Sequence, residues 1–154
     1  MSAFSGDQLG YIFAGALADV ISTTSGFSLD IFPSEDDGCF DEMVGIMSLN
    51  CKKSGMIFIS ARESAIRVLC SFMTGIPEDE VTKDDTDDAL CELVNMTAGS
   101  AKPRFNDAEQ MFSLTPPFVV RGKNMSFITK KGINVISRVL RDGEISVGLK
   151  VFFY

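Results

Sequence analysis

The last segment of the chain, residues 133–154, limits the possible folds most strongly because it has the pattern of a β-hairpin. Its two β-rich runs meet at Asp142-Gly143, a dipeptide typical of tight turns between antiparallel strands. After the turn, polar positions alternate with the apolar residues Ile145, Val147, Leu149, Val151 and Phe153. Phe152 and Tyr154 interrupt the polar face, and we therefore expect a covered sheet edge there, such as a subunit contact.

A second hairpin and two amphipathic helices precede this segment. MVGIMSLN and MIFISA are β-rich runs joined by the polar residues CKKSG. Apolar residues recur at helical spacing from Gly6 to about Ser25, with Ser5 as the predicted N-cap and Gly26 as the stop. The segment SAIRVLCSFMTG has the same spacing and ends at its glycine, Gly75.

A third helix is predicted after the acidic segment PEDEVTKDDTDD. That segment lacks the spacing of a calcium-binding loop, so we interpret it as a solvated loop whose last carboxylates complement the helix dipole. Thr86 or Asp87 is the predicted N-cap, and the helix should end before Pro103. Hairpins separated by helices indicate the α+β class, with helices packed on an antiparallel β-sheet. The sequence shows no internal repeat, and we expect residues 1–154 to form one domain.

The composition excludes several classes of function. The chain has 14 basic and 21 acidic residues, and a net charge of −7 argues against nucleic-acid binding. It contains 0 histidines, which removes His-based acid–base catalysis and the commonest zinc ligand. Its 4 cysteines show no CxxC spacing, which argues against a four-thiolate zinc site. No signal peptide and no apolar run long enough for a membrane span are evident, so a cytoplasmic protein that does not contact membranes is expected.

The third helix presents an unusual exposed face. Its apolar residues fall on one side of a helical wheel, and the other side carries Glu92, Asn95, Met96, Gly99 and Lys102. One interpretation is an ordinary solvated face with an early glycine stop. However, asparagine and glycine are poor helix formers, and glycine costs about 0.8–1 kcal/mol relative to alanine. A carboxylate, an amide and a gap also suit a docking face, on which an amide can orient a water for hydrolysis of an acyl phosphate.

Two motifs then carry a resemblance to a known family. ELVNMTAGSAK, with Glu92, Asn95 and GSAK at 99–102, resembles the motif of the CheX, CheC and FliY family of chemotaxis phosphatases. TPPFVV at 115–120 is similar to a segment typical of its CheX branch. The order of helices and hairpins agrees along essentially the whole chain. These phosphatases act on the phosphorylated response regulator CheY.

The resemblance implies a role for each residue of the motif. Asn95 would position the attacking water beside the phospho-aspartate of a CheY-like receiver domain, and Glu92 would pair with that partner's active-site lysine. Gly99 would leave room for the partner's backbone, and Met96 and Lys102 would contact it. Mg²⁺ would belong to the partner, so the resemblance implies no metal and no cofactor of the chain's own. The resemblance also implies a homodimer with one active site per chain, because the first helix contains no asparagine.

A second function remains open at this point. The same fold also serves as a non-catalytic binding or scaffold module that recognises a receiver domain or a flagellar switch component. The intact pair of Glu92 and Asn95 favours the phosphatase, since a scaffold has no need of it.

Overall fold

Three helices lie on one face of an antiparallel sheet in this computed structural model, which describes residues 5–34, 40–50, 52–105 and 112–154. The helices are α1 (Gly6–Ser25), α2 (Glu63–Thr74) and α3 (Lys83–Ala101), with short 3-10 turns at Glu78–Glu80 and Lys102–Arg104. The strands are β1 (Asp30–Pro33), β2 (Met43–Asn50), β3 (Ser54–Ala61), β4 (Ser113–Leu114), β5 (Phe118–Arg121), β6 (Ile136–Arg141) and β7 (Ser146–Phe153).

The sheet confirms the predicted α+β class. Its strands follow the order β1-β6-β7-β3-β2-β4, and β5 also pairs with β2 beside β4. Every pairing is antiparallel, and both predicted hairpins, β2–β3 and β6–β7, are present. The main hydrophobic core fills the space between the sheet and the three helices.

The ends of the first two helices agree with the sequence. The Ser5 side chain accepts a hydrogen bond from the backbone N–H of Gln8 and caps α1. Gly26 and Gly75 end α1 and α2 with φ values of 81° and 77°, a left-handed conformation that glycine adopts without steric strain.

The predicted N-cap of α3 is wrong. The helix begins one turn earlier, because Thr82 caps the N–H of Asp85 while the Asp85 side chain accepts from the N–H of Thr82. This reciprocal pair satisfies two backbone donors, and the nearby aspartates are stabilised by the positive end of the helix dipole. Thr86, one of the two predicted caps, is fully buried, and its hydroxyl donates to the carbonyl of Lys83. Much of the segment expected to be a loop is therefore helix.

The expected covered edge at Phe152 is also wrong. Strand β7 lies between β6 and β3, inside the sheet. Phe152 is 5% exposed and stacks on Phe58 and Phe127 at ring distances of 6.0 and 5.7 Å, on the face opposite the helices. Tyr154 stays exposed. Since the chain itself covers Phe152, this residue does not support the expected homodimer.

An approximate internal twofold axis relates the two hairpins, although the sequence showed no repeat. Ile57 pairs with Val151 and Ile59 pairs with Leu149, so exchanging β3 with β7 preserves the register. The edge strands follow the same rule: β1, which follows α1, pairs with β6, and β5, which follows α3, pairs with β2. The half that runs from α1 to α2 and the half that runs from α3 to β7 therefore each supply an edge strand to the hairpin of the other.

Candidate functional site

Helix α3 holds the predicted site residues and packs closely on the sheet. Leu90, Leu93 and Val94 on its inner side are buried. A Cβ placed on Gly45 of β2 would lie 2.5 Å from Cγ2 of Val94, so glycine is required at this point for the helix to approach the strand. The opposite face of α3 therefore points away from the sheet.

The outer face of α3 brings together the residues that the sequence singled out. Glu92, Asn95 and Gly99 are exposed, and Met96 and Lys102 are half-buried beside them. At a spacing of three residues, the Cβ atoms of Glu92 and Asn95 are about 5–6 Å apart, as neighbours on a helix are. All five residues therefore border one continuous strip of surface, which we call the α3 strip.

The glycine of the α3 strip is not needed for packing against any described residue. A Cβ built on Gly99 would meet no atom within 4 Å among the described residues. An alanine there would fit and would favour the helix. The side of Gly99 thus opens onto space that a second molecule can enter.

The C-terminal end of the α3 strip is fixed against α1. Lys102 begins the short 3-10 turn that follows α3. In the same turn, Nη2 of Arg104 donates to Oδ2 of Asp19 on α1 at 2.5 Å and lies 3.5 Å from Oγ of Ser100. This exposed ion pair connects the turn that follows α3 to α1.

Cys91 directly precedes Glu92 in α3 and is half-buried. Burial raises the pKa of its thiol, and the nearby carboxylates of Asp88 and Asp87 raise the pKa further. The thiol therefore stays protonated at neutral pH and is a poor nucleophile. Cys91 therefore contributes to packing and not to chemistry.

The α3 strip can position groups but carries no nucleophile of its own. An asparagine amide donates and accepts hydrogen bonds and can orient a water, and a glutamate carboxylate can bind a cationic side chain. Within the described ranges no three His, Cys, Asp or Glu side chains are grouped so that they could hold a metal ion. None of the described helices is long and apolar enough to cross a membrane.

The internal twofold axis makes α1 the counterpart of α3, and it relates the α3 strip to the helix in which the sequence shows no asparagine. QLGYIFAG at 8–15 matches ELVNMTAG at 92–99 in its leucine, alanine and glycine. Gln8 and Tyr11 stand at the positions of Glu92 and Asn95, and Tyr11 is 84% exposed. An alignment of the two helices would have revealed the repeat. The water-orienting amide at the position of Asn95 has no equivalent on α1.

A second feature had no signal in the sequence. Arg121, at the end of β5, forms hydrogen bonds to residues of α2 and α3, and only the folded chain brings these elements together.

Comparisons with known proteins agree with this description. The model of a family described as "Chemotaxis phosphatase CheX" matches residues 43–138. No curated protein sequence matches the chain.

Solved structures share the fold. A chemotaxis protein CheX from Desulfovibrio desulfuricans is 18% identical, with 96% of this chain and 99% of that chain covered at a TM-score of 0.80. A CheC-like superfamily protein from Shewanella sp. PV-4 is 22% identical, with 95% and 98% covered and a TM-score of 0.79. The CheX of a CheX–CheY–BeF3–Mg²⁺ complex from Borrelia burgdorferi is 17% identical, with 92% and 95% covered and a TM-score of 0.72.

Proposed function

The chain belongs to the family of the chemotaxis phosphatase CheX, and on this premise we propose that it hydrolyses the phospho-aspartate of a CheY-like receiver domain. The observation that carries the proposal is the exposed pair of Glu92 and Asn95 on one face of α3, next to an open glycine. The Borrelia relative forms a complex with CheY, which supports a partner of this kind.

In the proposed reaction, the side-chain amide of Asn95 orients a water in line with the phosphorus of the partner's acyl phosphate. The water oxygen forms a bond to phosphorus while the bond to the aspartate oxygen breaks. Inorganic phosphate leaves, and the partner recovers its free carboxylate. Positioning the water supplies most of the catalysis that such a labile phosphate needs.

The remaining residues of the α3 strip hold the partner. Glu92 binds the lysine of the receiver's active site, which keeps Asn95 beside the phosphoryl group. Gly99 admits the partner's backbone, and Met96 and Lys102 contact its surface. Mg²⁺ is held by the partner and stabilises the charge on the transferred group.

The test is the decay of a phosphorylated receiver domain from the same organism, with Mg²⁺, in the presence and absence of this protein. Wild type should accelerate the decay. Asn95→Ala should reduce kcat by about 100-fold, as expected for loss of a positioned polar group. Glu92→Ala should act mainly on KM. Asn50→Ala and Glu80→Ala, which change exposed residues of the same types elsewhere, should leave both constants unchanged.

Two results would contradict the proposal in different ways. Unchanged decay despite measurable binding would make the chain a non-catalytic binding module. Accelerated decay that survives Asn95→Ala would keep the activity and reject the mechanism.

A further inference from the structure

The α3 strip is too small to account for docking by itself, if the proposed function is correct. Helix α3 has 19 residues and is therefore about 28 Å long, and even a strip about 10 Å wide along its full length covers only roughly 300 Å². A specific protein interface covers about 800 Å² on each partner. A receiver domain seated on the α3 strip must therefore also rest on neighbouring elements, and its phosphate meets Asn95 only if α3 is correctly placed relative to them.

Arg121 joins α3 to two of those neighbours through one planar group. Its Nε donates to Oδ1 of Asp87 at 2.6 Å, and its Nη2 donates to Oγ1 of Thr86 at 2.7 Å, both on α3. Its Nη1 donates to Oε2 of Glu63 on α2 at 3.2 Å. Nη2 also reaches the carbonyl oxygen of Lys83 at 3.3 Å. Because Arg121 ends β5, the guanidinium connects β5, α2 and α3 at one point.

The geometry matters here more than the strength of the ion pairs. The side chains of Arg121, Asp87 and Glu63 are 22%, 33% and 33% exposed, and ion pairs that water still reaches add little stability. The guanidinium donates from fixed directions in one plane, whereas a lysine ammonium is a point charge on a flexible stem. A lysine at this position keeps the charge but cannot hold both helices in one orientation.

We propose that Arg121 is a positioning residue for the reaction on α3. It fixes α3 against α2 and β5, so that a partner resting on all three elements brings its phospho-aspartate to Asn95. Glu92 and Asn95 keep their mutual arrangement when Arg121 is lost, because both lie on the same helix. Without Arg121 the partner binds in a shifted position relative to Glu92 and Asn95, and this shift misplaces the reacting phosphorus.

The test compares Arg121→Met and Arg121→Lys in the receiver-decay assay, with kcat and KM measured separately on protein shown to be folded by circular dichroism. Both variants should lower kcat about tenfold and leave KM within about threefold, since small misplacements act on the chemical step. Asp87→Asn, which weakens one arm of the contact, should lower kcat less.

Arg67→Met is the matched control. Arg67 is also a half-buried arginine that binds Glu63 and a backbone carbonyl, that of Val81, but it forms no hydrogen bond to α3 among the described residues. Its kcat should equal that of wild type. Wild-type kcat in Arg121→Lys or in folded Arg121→Met would overturn the positioning role while the proposed function stands. A wild-type protein that leaves the decay unchanged would instead reject the proposed function.

Discussion

Replacing Gly45 by alanine should separate α3 from the sheet. The new Cβ would lie 2.5 Å from Cγ2 of Val94 and 3.0 Å from Cγ of Leu90, while ordinary contacts begin near 3.4 Å. Valine is stiff at χ1 in a helix, so Val94 cannot rotate away, and the helix must move by about 1 Å. Overpacking of this kind costs about 1–3 kcal/mol, and we expect Gly45→Ala to lower the free energy of unfolding by that amount.

Urea denaturation measures this loss as a lower midpoint at constant m. Val94→Ala removes the nearer clashing atom. By itself it should destabilise the protein by about 2 kcal/mol, from lost apolar burial and the cavity left behind. Combined with Gly45→Ala, it should add less than its separate cost, with a coupling of about 1 kcal/mol or more.

Gly99→Ala is the matched control, a glycine-to-alanine change on α3 itself. Its Cβ meets no described atom, so the free energy of unfolding should rise by up to about 1 kcal/mol. The steric argument fails if Gly45→Ala changes the free energy of unfolding by less than about 0.5 kcal/mol, which is the size of effect typical of surface substitutions. Strictly additive effects of Gly45→Ala and Val94→Ala would refute it equally.

Two further predictions concern local hydrogen bonds. Thr82→Ala should lower the free energy of unfolding by about 1 kcal/mol in urea denaturation, because it removes the N-cap of α3, whereas Thr82→Ser should be nearly neutral. Hydrogen bonds from the backbone N–H groups of Ile145 and Glu144 lower the pKa of Asp142 below its usual 3.8. The ionised carboxylate therefore stabilises the fold above pH 3.8, and this contribution is lost as the pH falls through the lower pKa of the folded state. The stability difference between wild type and Asp142→Ala should therefore shrink on acidification, and a difference that stays constant down to pH 2 would contradict this assignment.

Features encoded over short distances could be predicted from the sequence. The hairpin turn at Asp142-Gly143, the glycine stops and the exposed face of α3 depend on neighbours within a few residues, and all are present. The resemblance carried by ELVNMTAGSAK correctly indicated the family. The roles assigned to Glu92 and Asn95 remain predictions.

The errors arose where tertiary contacts decide the outcome. Alternation along β7 showed that Phe152 lies on the second face of the sheet, but it could not show that Phe58 and Phe127 cover that face. The start of α3 was misplaced for a different, local reason: Thr82 and Asp85 are only three residues apart and cap each other, but the run of aspartates around them was interpreted as a loop. Arg121 could not be found at all, since its partners lie 34 to 58 residues away in the chain.

The exchange of edge strands between the two halves has a consequence for how the chain folds during synthesis. Asp30 in β1 pairs with Arg141 in β6, so the first edge of the sheet cannot close until residue 141 has left the ribosome. Contacts between residues so far apart slow folding, because the loop entropy is lost before the contact forms. Until then the hairpin β2–β3 lacks its neighbouring strands β5 and β7. Neither half made alone has the strands to complete its own sheet. Two fragments divided between α2 and α3 should accordingly remain incomplete separately and fold when mixed.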